Sequence, residues 1–373
     1  MENELLWQYR LALHFLPNVG NQTAKNLLAY FGQVDQIFKQ PAHKLSQIPG
    51  IGKLTAASIP SHFNSALKHA EEELRFMQKN NVTPVFYTDS DYPKRLLECP
   101  DCPIILFKKG NFDLKRQGKY LAVVGTRNST EYGRDMTDKI IQNLAEQHSD
   151  LVIVSGLAYG IDITAHRKAL ELNIPTIAVM GTGMNKIYPS EHKNTAAAIL
   201  EHGALLTEFP SFVPGDKQNF VMRNRIVAGL SDAILVSESA EKGGSLITAD
   251  LALSYSRDVL AIPGRIGDKT SAGCNLLIKK NKAALVESAT DISYQMNWQT
   301  QQKNERKPQI ISLFPMTPVE RSVYDCIQAE EKINLDLLAL RTHIDVSALL
   351  PQLIEMEFKG YIKSLPGNQY KTL

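Results

Sequence analysis

Residues 121–127, Leu-Ala-Val-Val-Gly-Thr-Arg, decide the fold of this chain. Four consecutive apolar residues followed by glycine predict a strand that is buried on both faces and ends in a tight turn. Six more short apolar runs alternate with segments of helical length. They are Leu151–Val154, Thr176–Met180, Leu205–Thr207, Ala233–Val236, Val259–Ile262 and Ala283–Val286. Because their apolarity is continuous, they predict an α/β class domain over residues 83–295, with a doubly wound, Rossmann-like parallel sheet.

The first domain, residues 1–82, is predicted to be helical. It contains two related pieces, Leu16–Leu28 and Ile48–Ile59, each with a hydrophobic-x-hydrophobic-Gly turn before a helix start rich in small residues. This pattern resembles the helix-hairpin-helix motif of SAM-like domains. In that motif the turn aims backbone N–H groups at a DNA phosphate.

A helical interaction module without DNA contact is the alternative for this first domain. Asn18 stands in the first copy where the second copy has Gly50. Cations are sparse, and Lys25 and Lys53 are the nearest. The residues leave both interpretations open.

Residues 296–312 are polar and aperiodic and predict a linker, followed by a third domain over 313–373. Three helices and a hairpin predict a winged helix. Their bounds are Pro318–Gln328, Leu335–Thr342, Ser347–Lys359, Tyr361–Leu365 and Gln369–Leu373, with Gly360 ending the third helix. The third helix carries Glu355 and Glu357 against Lys359 alone, which favours protein contact because carboxylates repel duplex phosphate.

The composition limits the kinds of partner that this chain is expected to bind. The chain has 373 residues, 43% of them apolar and 21% charged, and a net charge of +2, so any polyanion site must come from local clustering. No apolar run reaches membrane-spanning length and the start is acidic, so we expect a cytoplasmic protein without membrane contact. The four cysteines predict no disulfide framework. The single CxxC, Cys99 and Cys102, lacks a second pair for a zinc site, so no metal is predicted.

Residues 217–225, Lys-Gln-Asn-Phe-Val-Met-Arg-Asn-Arg, surround one aromatic ring with cations. Guanidinium groups pair with phosphate, and a phenyl face stacks on an unpaired base, so the segment predicts contact with single-stranded nucleic acid. On a helix Phe220 and Arg223 share a face, whereas Arg225 points elsewhere. Two alternatives to DNA contact stay open. One of the arginines pairs with a carboxylate, Glu208 or Glu238, instead of a phosphate, and Phe220 is a residue of the hydrophobic core instead of a stacking platform.

Glycines follow five of the predicted strands. They are Gly125, Gly156, Gly181 with Gly183, Gly243 with Gly244, and Gly264. Strand ends of a parallel sheet face one edge, where glycine lets a ligand approach the backbone. Arg127 is predicted at the mouth of this edge. Ser129 either donates to a phosphate or caps a helix starting near Glu131. Neither G-x-G-x-x-G nor a P-loop occurs, so no nucleotide cofactor is expected.

A serine hydrolase triad is the enzymatic alternative suggested by residues 155–166. This stretch contains Ser155, Asp162 and His166. The serine lacks the G-x-S-x-G elbow, and the other two are spaced as local helix support. We therefore expect no catalytic activity from these residues.

Five segments together carry a family resemblance. They are Asp91–Leu96 (DYPKRL), Val123–Gly133 (VVGTRNSTEYG), Val154–Leu170 (VSGLAYGIDITAHRKAL), Phe220–Leu230 (FVMRNRIVAGL) and Gly244–Ala249 (GSLITA). The chain strongly resembles the bacterial DNA-processing protein A (DprA/Smf) family, most densely over residues 84 to 291. The resemblance implies a non-enzymatic recombination mediator that binds and protects single-stranded DNA and loads RecA during natural transformation. It also implies a homodimer formed through the Rossmann-like domain.

The resemblance also implies which residues bind DNA. The family's G-[ST]-R-x-x-[ST] segment falls on residues 125–130, with Thr130 in the last place and Ser129 one step earlier, and its F-x-x-R-N-R segment falls on residues 220–225. The implied DNA-binding residues are Gly125, Thr126, Arg127, Ser129, Lys217, Phe220, Arg223, Asn224 and Arg225. Further loop contacts are Gly156, Gly183, Gly244 and Ser245. Gly243 departs from the serine that members commonly carry.

The fold also resembles the phosphoribohydrolase group, which cleaves nucleoside monophosphates. Those enzymes carry a P-G-G-x-G-T-x-x-E loop. The nearest match, Lys242–Asp250, lacks the proline, the third glycine and the glutamate. A nucleotide-binding enzyme of this group is the alternative function.

Overall fold

The computed structural model describes residues 2–298, 316–330, 333–365 and 368–372. The chain divides into two compact units, Met1–Gln301 and Gln302–Leu373. The helices of the first unit are α1 (Glu2–Phe15), α2 (Asn21–Phe31), α3 (Val34–Phe38), α4 (Ala42–Leu45), α5 (Lys53–Asn80), α6 (Lys94–Leu97), α7 (Glu131–Gln147), α8 (Ile161–Glu171), α9 (Lys193–His202), α10 (Lys217–Gly229), α11 (Gly244–Ser254), α12 (Ala272–Lys279) and α13 (Ala289–Gln295). Its strands are β1 (Thr83–Phe86), β2 (Ile105–Lys109), β3 (Lys119–Gly125), β4 (Leu151–Ser155), β5 (Thr176–Val179), β6 (Ala204–Thr207), β7 (Ala233–Glu238), β8 (Asp258–Ala261) and β9 (Ala284–Leu285).

One nine-stranded sheet organises the first unit, in the order β1-β2-β6-β5-β4-β3-β7-β8-β9. All seven predicted strands form, and they run parallel from β6 to β9. The chain winds outward from β3 to β6 and then returns to place β7 on the other side of β3. The predicted doubly wound, Rossmann-like fold is therefore confirmed, with its switch point between β3 and β7.

Two strands at one edge of the sheet were not predicted. Strands β1 and β2 pair antiparallel, and β2 pairs antiparallel with β6. Pro84 in β1 is typical of an edge strand, because proline has no N–H to offer a further strand, and it interrupts the apolar pattern of β1. Strand β2 is paired on both sides and contains a short apolar run, Ile105–Phe107, before its two lysines.

The two helix-hairpin-helix copies have the same backbone conformation. Asn18 has φ 63° and Gly50 has φ 83°, so both occupy the left-handed region at the turn. Asparagine tolerates this region better than most side chains, which explains how the first copy keeps the turn without glycine. Helices α2 and α5 then begin directly after Gly20 and Gly52.

The N-terminal helices pack against the sheet domain within the same unit. Their core is continuous with Phe86 and Phe107 of the edge strands. Lys25 Nζ donates to the carbonyl of Pro100 at 3.2 Å and to Cys102 Sγ at 2.9 Å. These contacts use one of the two lysines nearest the hairpin turns to join the helices to the sheet domain.

Residues 296–298 belong to the first packed unit, although they were predicted to begin the linker. Met296 and Trp298 pack against its core, and the Trp298 ring meets His148 edge-on at 5.7 Å. Most of the predicted linker falls within 299–315, which lies outside the described residues.

The second unit is a winged helix, as predicted. Its elements are α14 (Pro318–Ala329), β10 (Ile333–Asn334), α15 (Leu335–Thr342), α16 (Val346–Phe358), β11 (Ile362–Leu365) and β12 (Gln369–Thr372). Gly360, with φ 76°, follows α16. The predicted hairpin turn includes residues 366–367, outside the described part. No single described helix has the length and apolarity of a membrane span; α15 and α16 do as a pair bent by 107°.

Candidate functional site

A cavity of about 820 Å³ lies at the carboxyl ends of the strands, beside the switch point. We call it the cleft. It is lined by residues within 124–127, 182–188, 215–224 and 240–248, together with Ala158 and Asp162. Loops after β3, β5 and β7 and the first turns of α10 therefore meet here. A doubly wound fold normally binds ligands at this position.

Cations outnumber carboxylates in the cleft. Five cationic side chains line it: Arg127, Lys186, Lys217, Arg223 and Lys242. The two carboxylates are Asp162 and Asp216, and Asp216 is occupied as the N-cap of α10. A concave site with this surplus attracts anions. Lys186 and Lys242 were not predicted. Lys242 directly precedes Gly243 and Lys186 follows Gly183 by three residues, so both lie near strand-end glycines in the sequence.

An aromatic pair and a guanidinium form the most distinctive part of the cleft. The rings of Phe220 and Tyr188 have centroids 5.1 Å apart at 42°. The Arg127 guanidinium lies 5.9 Å from the Phe220 centroid. Phe220 is half-buried, whereas Tyr188 and Arg127 are exposed. Tyr188 was missed because a lone tyrosine in a loop carries no pattern.

Arg223 lines the cleft but is buried. Its Nη1 donates to the carbonyls of Gly156 and Val179, at the ends of β4 and β5. Burial lowers its pKa to about 10, so it stays cationic at neutral pH. Burial also raises the pKa of Asp162, while the nearby charge of Arg223 opposes that rise. Arg223 therefore joins strand ends and presents only its remaining surface to the cleft.

Two of the strand-end glycines make room for α10. A Cβ at Gly156 would lie 2.6 Å from the Arg223 guanidinium, and one at Gly181 would lie 2.5 Å from Phe220 Cδ1. Both distances are shorter than a Cβ contact allows, so a side chain at either position would require Arg223 or Phe220 to move. These glycines thus admit protein side chains, whereas the sequence had suggested that glycine admits a ligand.

Arg225 lies outside the cleft. It forms an ion pair with buried Glu208 and donates to the carbonyl of Asp101. The alternative that one arginine pairs with a carboxylate is confirmed for Arg225 and Glu208. Glu238, the other candidate, instead accepts from the backbone N and Oγ1 of Thr130, each at 2.8 Å.

In the segment after β3, the first residues line the cleft and a later residue caps helix α7. Gly125, Thr126 and Arg127 line the cleft. Helix α7 begins at Glu131 as predicted, but its cap is Thr130, whose side chain accepts from Gly133 N. Ser129 is neither cap nor lining residue, and it accepts from Arg134 Nη1 through its carbonyl at 2.6 Å. The capping interpretation of Ser129 was therefore wrong by one residue.

The remaining predicted contacts are divided in the same way. Asn224, Gly244 and Ser245 line the cleft with Lys217. Gly156 borders a small recess beside it, under Arg127 and Phe220. Gly183 packs against the carbonyl of Pro210, away from the lining.

Ser155, Asp162 and His166 do not form a triad. Ser155 Oγ donates to the Val123 carbonyl at 2.6 Å, and Asp162 accepts from the N–H groups of Gly156 and Ala158. His166 Nδ1 lies 2.7 Å from Thr176 Oγ1. Each side chain is thus engaged separately with the surrounding fold.

The outer face of α16 presents apolar rather than cationic side chains. Val346, Leu350, Ile354 and Phe358 recur every four residues and are 36% to 89% exposed. Lys359, at the end of the helix, pairs with Glu320 and Glu355 at 2.7 Å each. Lys359, the one cation that the sequence sets against Glu355 and Glu357, is therefore neutralised within its own unit.

Three family models match this chain. DNA recombination-mediator protein A matches residues 83–297, a helix-hairpin-helix motif matches 12–70, and the DprA winged helix domain matches 308–368. Protein Smf of Synechocystis is 32% identical over 97% of this chain and 98% of its own length. DNA processing protein DprA of Streptococcus pneumoniae is 44% identical over 55% of this chain and 71% of its own.

Two solved structures are similar as well. That of DNA processing protein A from Streptococcus pneumoniae has a TM-score of 0.67 and 36% identity, covering 77% of this chain and 95% of its own. That of DNA processing protein A from Helicobacter pylori, described for its single-stranded DNA binding mode, has a TM-score of 0.52 and 28% identity. It covers 58% of this chain and 95% of its own.

Proposed function

This chain belongs to the DNA recombination-mediator protein A (DprA/Smf) family, and on that premise we propose that it binds single-stranded DNA as a recombination mediator. It protects incoming strands and loads RecA during natural transformation, and it works as a homodimer through the Rossmann-like domain. It holds the strand without turning over a substrate. RecA loading, transformation and the dimer rest on the family resemblance.

The arrangement of Arg127, Phe220 and Tyr188 is the observation that carries this proposal. An unpaired base stacks on an aromatic face, and the guanidinium beside the ring pairs with the adjoining phosphate. Stacking needs a base that is not already paired and stacked in a duplex, whereas the phosphate contact is available to either form. The cleft therefore suits a single strand with little sequence preference.

The other cations of the cleft follow the strand's backbone. Lys186, Lys217 and Lys242 are all exposed and come from three different segments around the cavity. Long flexible ammonium groups bind phosphates as point charges without demanding one geometry. Gly244 and Ser245 begin α11, whose N-terminal N–H groups add a further favourable field for phosphate.

Fluorescence anisotropy with oligo-dT and a duplex of equal length tests this function. Contact with three to five phosphates gives a slope of log K against log salt of roughly −2 to −3.5 for single strands. Tighter binding to the duplex, or affinity that does not depend on salt, would overturn the proposal.

A strand-exchange assay tests the mediator role separately. The protein should speed RecA assembly on coated single strands without consuming ATP itself. Phe220→Ala should lose DNA affinity and this acceleration together, because base stacking contributes about 1–3 kcal/mol. Enzymatic release of a base from nucleoside monophosphates would instead support the phosphoribohydrolase alternative.

A further inference from the structure

A second cavity, of about 320 Å³, lies at the amino ends of the parallel strands, whereas the cleft lies at their carboxyl ends. We call it the amino-edge cavity. Its lining comes from α6 and from residues just before β3, β7 and β8. Since β3 has seven residues, this cavity is roughly 20 Å or more from the cleft.

The amino-edge cavity is also rich in cations. Five line it: Lys94, Arg95, Lys115, Arg116 and Arg257. Glu98 and Asp232 are the carboxylates of the lining. The cavity therefore has a cationic surplus of three, as the cleft does.

Three of these cations have partners within the fold. Arg95 holds Asp232 through two hydrogen bonds, of 2.6 and 3.2 Å. Arg257 donates to Glu98 at 2.7 Å. Lys115 pairs with Asp91 at 3.0 Å. These pairs build the walls of the cavity.

Three donors are left without a protein partner. Among the described residues, none pairs with the Lys94 ammonium or the Arg116 guanidinium, and both residues are exposed. The Arg257 side chain is only 14% exposed, and its Nε is buried without a hydrogen-bond partner among the described residues. Because this atom is closed to solvent, a ligand in the cavity meets Arg257 through the part of the side chain that remains exposed, and its negative charge compensates a poorly solvated guanidinium.

We propose that the amino-edge cavity binds a phosphate group through Lys94, Arg116 and Arg257. A phosphate offers several acceptor oxygens and a charge that balances the surplus, which a neutral ligand does not. Two sources share this chemistry: free phosphate, alone or on a mononucleotide, and the phosphodiester of a strand that extends beyond the cleft. Only the second source rests on the function proposed for the cleft.

The test uses the full chain with Lys94→Ala and Arg116→Ala combined, which leaves the ion pairs of the walls intact. The matched control combines Lys139→Ala and Lys280→Ala, two exposed lysines of the same unit for which no ion pair is described. Both variants lose two positive charges. A general effect of net charge therefore changes them equally.

The first measurement follows the melting temperature as inorganic phosphate replaces chloride at constant ionic strength. The unaltered protein and the control should be stabilised more than the Lys94/Arg116 variant.

The second measurement compares binding of oligo-dT of about 6 and about 30 nucleotides, chosen around known single-strand site sizes. If the strand supplies the phosphate, only the longer oligonucleotide should bind the variant more weakly. The salt slope should then fall by about 1.4 for two lost contacts.

If the Lys94/Arg116 variant is stabilised less by phosphate than the control but binds the long oligonucleotide equally well, free phosphate is the source. If the variant binds the long oligonucleotide more weakly than the control, the DNA strand is the source. A variant that matches the control in both measurements would overturn the site. Failure of the cleft's own function is distinguishable, because the unaltered protein would then not bind the short oligonucleotide.

Discussion

Arg127, Arg223 and Arg225 show how differently one residue type is used within this family's motifs. Arg127 is exposed at the cleft, Arg223 is buried and bridges two strand ends, and Arg225 is buried in an ion pair with Glu208. The family motifs imply that all three bind DNA, although helical spacing already sets Arg225 apart from Phe220 and Arg223. Burial and partners separate all three, and these depend on distant residues.

We predict that Arg127→Ala weakens single-strand binding by about 1.5–3 kcal/mol without changing the melting temperature, because a charge-assisted phosphate contact is lost at an exposed position.

Arg225→Ala should instead destabilise the fold by about 3–5 kcal/mol, since it leaves Glu208 buried without its partner. Anisotropy titrations and thermal melts of both variants check this. Combining Arg225→Ala with Glu208→Gln should restore part of the stability; an unchanged melting temperature for Arg225→Ala would contradict the assignment.

We predict that His166 makes the fold sensitive to acid. Burial, together with the smaller effects of the nearby charges of Arg223 and His192, lowers its pKa to about 3. Between pH 6.5 and 3 the unfolded chain therefore binds a proton that the native chain does not. Its contribution to stability is lost as pH falls through this window, by up to about 1.4 kcal/mol per pH unit.

Urea unfolding at pH 7.5 and pH 5 measures this effect when the protein is compared with His166→Gln. The two tryptophans, Trp7 and Trp298, both lie in the first unit, so their fluorescence reports on that unit. The stability of the variant should fall less between the two pH values. Parallel losses would show that other groups determine the acid sensitivity.

At the scale of elements, the apolar runs predicted the seven parallel strands because central strands must be apolar on both faces. The edge strand β1 was not found because Pro84 interrupts its short apolar run. Strand β2 was missed although its run Ile105–Phe107 is apolar and buried. The site was predicted less completely. Lys186 and Tyr188 are brought to Phe220 by the loop after β5, and no local pattern in the sequence connects residues 188 and 220.

The closeness of α10 to the ends of β4 and β5 gives a prediction with a matched control in the same cleft. Gly181→Ala would place a Cβ 2.5 Å from the Phe220 ring, so the ring must move and DNA affinity should fall severalfold. Gly244→Ala has no atom within 4 Å of its added Cβ. That variant leaves the Phe220 ring in place, so it should lose less affinity for oligo-dT than Gly181→Ala. Equal affinities of the two variants would show that the ring position is unimportant for binding.

At the scale of the whole molecule, the division into two units predicts separable roles. Deleting residues 313–373 should leave single-strand affinity within a few-fold, because the residues that line the cleft all lie in the first unit and Lys359, which follows α16, is neutralised. Anisotropy titration of the truncated chain checks this. A tenfold or larger loss, with the oligomeric state unchanged, would assign DNA contact to the winged helix.

The placement of β3 between β4 and β7 has a consequence during synthesis on the ribosome. Leu121 of β3 pairs with Ala233 of β7, a separation of 233 − 121 = 112 residues. Since synthesis adds about 5–20 residues per second, the side of β3 that pairs with β7 stays unpaired for roughly 6–22 s. A nascent chain arrested at increasing lengths should therefore develop pulling force only after Val236 has emerged, and until then it exposes an apolar strand that chaperones recognise.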